Sequence, residues 1–310
     1  MESPARGFFY VLVTSICFGL NGIGIRGIFE THPGIDVENV SFWGMFGATL
    51  LASPLILLSR SSRKRALLSI RRDGRVILAV SVLSSIGAIF WFYGLKSAGA
   101  GPVSLLSKSQ VIFTSLLGLL FLKERFGAFE MVGLVLAMIG MIVISNLRGE
   151  IGFISALAIL FSALIYALQS LIVRKYAREL HGLEFTYLRA LLMTAFYGVV
   201  FMMGGVLKIQ PIGTMEALAG VTFMGLMLGR AFYYEAHKHL GIMRLGVGML
   251  FEPIFVLILA YFVLDERIGV VKMAGAALIL VGLWMTVRKN MNMAIALERV
   301  RRLMSKNRYR

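Results

Sequence analysis

The chain is poor in everything that a disulfide-stapled or thiol-ligated protein needs. It has one cysteine, Cys17, inside an apolar run. A single thiol closes no intrachain disulfide and supplies no thiolate metal set, so both classes are excluded and Cys17 reads as a small buried hydrophobe. Charge is scarce as well. Only 15% of residues are charged, and the 16 acidic residues face 32 lysines and arginines. The four histidines, His32, His181, His237 and His239, fall in or beside expected loops. His237 and His239 are spaced like a metal pair, but no thiol or carboxylate cluster joins them in sequence, so neither a metal nor any other cofactor is expected. His-Glu-x-x-His, Gly-x-Ser-x-Gly and a phosphate-cradling glycine loop are all missing, which argues against an enzyme.

What the chain has in abundance is apolar sequence, 58% of its residues, with a mean hydropathy of +0.81. That composition belongs in a bilayer. A helix crossing the hydrocarbon needs roughly 20 mostly apolar residues. Such runs are read at 7–28, 40–58, 76–95, 103–122, 128–147, 151–173, 185–206, 217–236, 245–264 and 270–287, joined mostly by short loops. The first contains Arg26 and lacks an Ala-x-Ala site, so it reads as a retained span rather than a signal peptide.

The runs repeat. Residues 87–144 lie over 229–286 without a gap at a constant step of 142, matching Gly87 to Gly229, Lys96 to Lys238, Glu124 to Glu266, Arg125 to Arg267 and Gly140 to Gly282. A step of 148 matches Phe18 to Tyr166, Asn21 to Gln169 and Arg26 to Arg174. The basic residues cluster at 60–75, at 174–178 and in the tail from 288, whereas the intervening loops hold scattered ones. The positive-inside rule then places both termini in the cytoplasm. With an odd number of spans per half, the second copy enters from the opposite side. The expected fold is therefore an all-α integral membrane protein of about ten transmembrane helices in two inverted five-helix repeats. Residues 1–148 form the first, 149–288 the second, and 289–310 a basic tail.

The net charge of +16 lies mainly in those loops and the tail. Topology and the anionic inner leaflet account for it, and no nucleic-acid partner is expected. In the tail, Met293, Leu297, Val300 and Met304 recur at helical spacing among arginines, as in an amphipathic helix lying on lipid.

Several segments carry a family likeness. Leu-Lys-Glu-Arg at 122–125 and Leu-Asp-Glu-Arg at 264–267 are each followed by a glycine-punctuated helix. Phe251-Glu252-Pro253-Ile254-Phe255 precedes the second, and the aromatic stretches 92–96 and 232–236 stand at equivalent places. In these the chain resembles the EamA-type transporters of the drug/metabolite transporter superfamily, over essentially residues 8–288. Two departures are Gln110-Val111, where the first half often has a Glu-Pro-like pair, and Trp43-Gly44, where an arginine is frequent; the second half keeps that arginine as Arg189. The resemblance implies a central cavity, alternating access by rocking bundles, and transport of small organic metabolites, often outward.

The residues themselves point to a polar interior. Lys108, Arg189, Arg230, Glu235 and Glu252 fall within or near apolar runs, where even the lenient scale charges about 2.5–3.5 kcal/mol for an unpaired charge. Glu252 maps onto Gln110, two residues from Lys108, so an encounter of Lys108 with Glu252 across the repeat axis is expected. Either they bind solute, Glu252 taking an amine or coupling proton and Lys108, Arg189 or Arg230 a carboxylate, or they are structural. Asn21 and Gln169 suit either cavity hydrogen bonding or helix packing. Trp43, Trp91, Tyr93, Tyr166, Tyr187, Tyr233 and Tyr234 either line a pocket or fill core and interface. Pro253 removes a backbone donor and opposes the Met249 carbonyl, a hinge. Glu124-Arg125 and Glu266-Arg267 stand at opposite surfaces as gate latches or helix caps.

The function expected is secondary transport of a small polar metabolite, an amino acid or related carboxylate, by export across the inner membrane of a bacterium, with Glu252 as the candidate for proton coupling. The alternatives are an organic cation in an aromatic cage with Glu252, and an intramembrane enzyme acting on lipid. The partners expected are the small-molecule substrate and anionic lipid, with the chain a monomer or a homodimer.

Overall fold

The computed structural model describes residues 4–98, 103, 106–123, 127–145, 152–176, 181–263, 270–271, 273–282 and 284–285. Among these no strand occurs, and each of the ten apolar runs carries helix. In chain order they are α1 (Pro4–Thr31), α2 (Val37–Leu57), α3 (Arg60–Ala98), α4 (Ser109–Leu122), α5 (Ala128–Ser145), α6 (Phe153–Tyr176), α7 (Gly182–Met203), α8 (Ile212–His237), α9 in three pieces (Ile242–Gly248, Met249–Phe251 and Glu252–Val263) and α10 (Met273–Gly282). Six of them, α1, α2, α3, α6, α7 and α8, are long and apolar enough to cross a membrane. The Glu124, Arg125, Glu266 and Arg267 pairs, and the tail at 289–310, lie outside the described residues.

The outer surface is built from large apolar side chains such as Phe9, Leu50, Leu120 and Val199, while Thr14, Ser15, Ser81, Ser84, Ser85 and Ser162 are buried. That inversion of a soluble protein's pattern is what a bilayer requires. Lipid covers the greasy faces, and small polar residues let helix backbones approach. Most of the buried hydroxyls return a hydrogen bond to their own helix four residues back, as Ser81 does to Ile77 and Ser85 to Ser81.

One expected loop is helix. The basic stretch from residue 60 forms the first part of α3, which bends at Asp73 (φ −123°, ψ 19°) before the spanning part begins. Leu67, Leu68 and Ile70 stand exposed there among the arginines while Ala66 and Ser69 are buried. This is an amphipathic pattern that a reading of apolar runs alone passes over.

The halves meet through reciprocal contacts. A methyl group added at Gly140 of α5 would overlap the Gly275 carbonyl and the Ile279 amide of α10; one added at Gly282 would overlap the Gly133 carbonyl and the Ala137 amide. Each partner is shifted by the same 142 residues. Contacts in which i meets j′ and j meets i′ are the mark of a two-fold axis, and here the helices it relates run antiparallel. The Arg26 guanidinium donates to the Leu95 carbonyl (3.4 Å), and Arg174 donates to the His237 carbonyl, the position equivalent to Leu95. One contact is thus made twice, at opposite ends of the bundle.

Candidate functional site

Where the helices converge lies a cavity of ≈ 90 Å³. At roughly 10–15 Å³ per water, this holds several waters or a small metabolite. Its walls come from α1, α3, α4, α6, α8 and α9, so both halves of the chain contribute.

Two irregular helices shape it. Residues Phe223–Gly229 of α8 form a π-helical segment immediately before Arg230. Just before that segment, the Val221 carbonyl accepts from the Asn21 side-chain amide of α1 (3.1 Å). Gly225 has no room for a Cβ because the Asn21 side chain lies against it, and Gly229 packs on Cys17 and Phe18 in the same way. The Gly-x-x-x-Gly face of α8 therefore seats α1. In α9, Pro253 cannot donate to the Met249 carbonyl, and the 3₁₀ turn Met249–Phe251 stands there between two α-helical pieces. Glu252 thereby opens the outer piece with its side chain at the cavity wall.

The charges divide into one pair and two arginines. Lys108, just ahead of α4, donates from Nζ to Glu252 Oε2 at 2.7 Å. Their side chains are 8% and 18% exposed, the carboxylate being the more open to the cavity. Arg230 has a different environment. Its guanidinium carbon lies 4.8 Å from the Phe18 ring centroid, 5.0 Å from that of Tyr166 and 5.3 Å from that of Tyr233. Its Nε finds no hydrogen-bond partner, and among the described residues it makes no ion pair. Arg189 of α7 is 1% exposed, donating from Nη2 to the Leu226 carbonyl (3.3 Å) and from Nη1 towards the Met193 sulfur (3.0 Å), its Nε also without a partner.

The expected site residues separate accordingly. Asn21, Trp91, Lys108, Gln110, Tyr166, Arg230 and Glu252 line the cavity. Trp43 does not: its indole N–H reaches the Lys208 carbonyl (2.8 Å) near one end of α2. Gln169 and Tyr234 lie behind the wall, with Ser84 donating to Gln169 Oε1 (2.8 Å) and the Gln169 amide donating to the Tyr234 hydroxyl (2.5 Å), which ties α3, α6 and α8 together. Arg189 stands one layer back from the cavity, through Leu226. Tyr233, one of the candidate pocket aromatics, lines the cavity too, and Phe18, Phe92 and Ser107 line it without having been singled out as site residues. A signal for Phe18 was present, since it matches Tyr166 at the step of 148 and the two rings face the same guanidinium.

Comparison with known proteins follows this geometry. The profile of the EamA-like transporter family matches residues 5–146 and again 153–288. A Haemophilus influenzae protein described as an uncharacterized transporter is 25% identical over 303 residues, covering 91% of this chain and 95% of its own. The uncharacterized transporter YojE of Bacillus subtilis is 25% identical over 272 residues, covering 84% and 86%. A crystal structure of a protein 17% identical superposes with a TM-score of 0.72 over 94% of this chain and 99% of the other, a likeness of fold.

Proposed function

We propose that this chain, which belongs to the EamA-like transporter family, is a secondary transporter carrying a small carboxylate-bearing metabolite through its central cavity by alternating access. The observation that carries the reading is Arg230, a cation 5% exposed, with an unpartnered Nε and, among the described residues, no carboxylate of its own. A planar guanidinium presents donors in a fork that matches a carboxylate. Lys108 and Glu252 already neutralise each other, so the unmet demand of the cavity is for an anion.

The organic-cation reading loses its cage on the same ground. Phe18, Tyr166 and Tyr233 offer the π-faces that a quaternary ammonium would need, and Arg230 occupies them. Glu252 supplies a route to coupling, because a proton on its carboxylate would release Lys108 and change the charge that an incoming anion meets. The positive-inside pattern supports a cytoplasmic location for both termini in an inner membrane.

The test is counterflow in liposomes reconstituted with the full chain, using labelled carboxylates and quaternary amines. Wild type should exchange at least one carboxylate unmodified, and Arg230→Gln should lose that exchange. Equal carriage of a quaternary amine by both proteins, with no carboxylate moved, would defeat the proposal. Chemical conversion of the solute would point to catalysis instead.

A further inference from the structure

The buried charges do not balance. Lys108, Arg189 and Arg230 are 6%, 1% and 5% exposed, and against these three cations the cavity sets, among the described residues, the one carboxylate of Glu252. The two deeply buried acids among the described residues, Glu130 and Glu184, are matched by Arg244 (3.1 Å) and Arg65 (2.7 Å) away from the cavity. Among the described residues, the core of the bundle therefore holds two positive charges in excess. Charge buried at membrane depth is costly unless it is compensated, and a substrate with two negative charges would compensate it in full.

The cavity also offers two separate places to receive those charges. One is the Arg230 guanidinium on α8, under its three rings. The other lies at the entry to α4, where Ser107 and Lys108 both line the space. The Ser107 Oγ is buried and has no hydrogen-bond partner. An ammonium has three donors, and the described contact of Lys108 Nζ is the one to Glu252 Oε2. The Ser107 hydroxyl and the Lys108 donors not used on Glu252 make a second, hydrogen-bonding anion seat at the entry to α4, while the uncancelled positive charge comes from Arg230 and from Arg189 behind the wall. Arg189, bonded to the carbonyl of the wall residue Leu226, adds its field from behind.

We infer that the cavity is a two-point anion site that selects a short dianion, either a dicarboxylate or a phosphate monoester, with one charged group on Arg230 and the other on Lys108 and Ser107. This rests on the carboxylate-transporter reading and narrows it.

The experiment uses the full chain in liposomes and compares matched probes that differ by one negative charge: butyrate with succinate, valerate with glutarate, and glycerate with glycerol 3-phosphate. In at least one pair the dianion should exchange about tenfold faster or more than its monoanion, the scale of one hydrogen bond to a charged group. Preference within the glycerol 3-phosphate pair alone assigns the phosphate source; preference within the other pairs assigns the dicarboxylate. Lys108→Gln with Glu252→Gln together should bring the dianion-to-monoanion ratio towards one, whatever the absolute flux. Ser107→Ala, a smaller change that leaves every charge in place, should lower the ratio severalfold. The inference is overturned if monoanions exchange as fast as dianions in every pair, or if the ratio survives both variants. Monoanion exchange that depends on Arg230 but shows no preference would leave the carboxylate reading standing and remove only the dianion. No exchange of any anion would remove both.

Discussion

Lys108 Nζ and Glu252 Oε2 lie 2.7 Å apart, joining a residue at the entry to α4 with the first residue of the outer piece of α9. The pair spans the two halves of the chain inside the cavity wall, and its energetics differ from those of a surface ion pair. Removing one member of a buried pair costs about 3–5 kcal/mol when the other is left uncompensated. The 18% exposure of the Glu252 side chain to a space large enough for water reduces that figure. Lys108→Gln and Glu252→Gln should therefore each lower the melting temperature in detergent, and the double variant should sit closer to wild type than either single one. A double-mutant cycle with no coupling energy would show that the two charges do not feel each other.

At Arg230 the prediction separates charge from shape. Arg230→Lys keeps the positive charge, but replaces a flat, weakly hydrated group that stacks on Phe18, Tyr166 and Tyr233 with a compact ammonium. The loss is the stacking, about 0.5–2 kcal/mol, and the two-pronged grip on a carboxylate. Carboxylate transport should show a raised KM with the protein still folded, whereas Arg230→Gln should show no saturable transport. If Lys and Gln behave alike, geometry rather than charge is what the site requires.

The glycine crossing of α5 and α10 tests the two-fold relation. Gly140 and Gly282 meet backbone atoms of the opposite helix at positions 142 residues apart, so a side chain at either one has no flexible neighbour to displace. Overpacking of this kind typically costs about 1–3 kcal/mol. Gly140→Val and Gly282→Val should lower thermal stability by similar amounts, while Gly22→Ala, with open space around it, should be near neutral. A large difference between the two valine variants would argue that the halves do not cross on a shared axis.

Much of the architecture was legible because a bilayer imposes a coarse rule on sequence: length and apolarity locate helices, and the fixed steps of 142 and 148 locate equivalent positions. The Lys108–Glu252 encounter emerged from that arithmetic; for Asn21 it left cavity and helix packing open, and the residue does both, lining the cavity while bonding the Val221 carbonyl. What escaped was decided by helix rotation and by breaks in helical regularity. Trp43 and Tyr234 satisfied every compositional criterion for a pocket, yet one points to the Lys208 carbonyl and the other packs on Phe185 at 4.6 Å between ring centroids. Arg189 and Arg230 looked alike in sequence. The π-helical segment Phe223–Gly229 directly precedes Arg230 at the cavity wall and follows a glycine pattern rather than apolar periodicity, while Arg189 is held one layer back. Basic residues 60–72 read as a loop because charge there masked a helical alternation with Ala66 and Ser69 on the buried side.

The Arg26 and Arg174 contacts give the last prediction. Arg26 bonds the Leu95 carbonyl near one end of the bundle, and Arg174 bonds the equivalent His237 carbonyl near the other, the first at 3.4 Å with its Nε held by Glu30 at 2.7 Å. Each contact ties a helix of one half to the third helix of the same half, so loosening it should favour opening of the cavity at that end. Because the two are equivalent positions on inverted copies, Arg26→Ala and Arg174→Ala should shift the access equilibrium in opposite senses. A single cysteine at Ser107 on the cavity wall, in a Cys17→Ser background, reports on this through labelling by a membrane-impermeant maleimide applied from one face at a time. Relative to the parent, one arginine variant should label faster from one face and the other from the opposite face. Two shifts of the same sign would mean that these arginines brace the bundle without controlling which side it opens to.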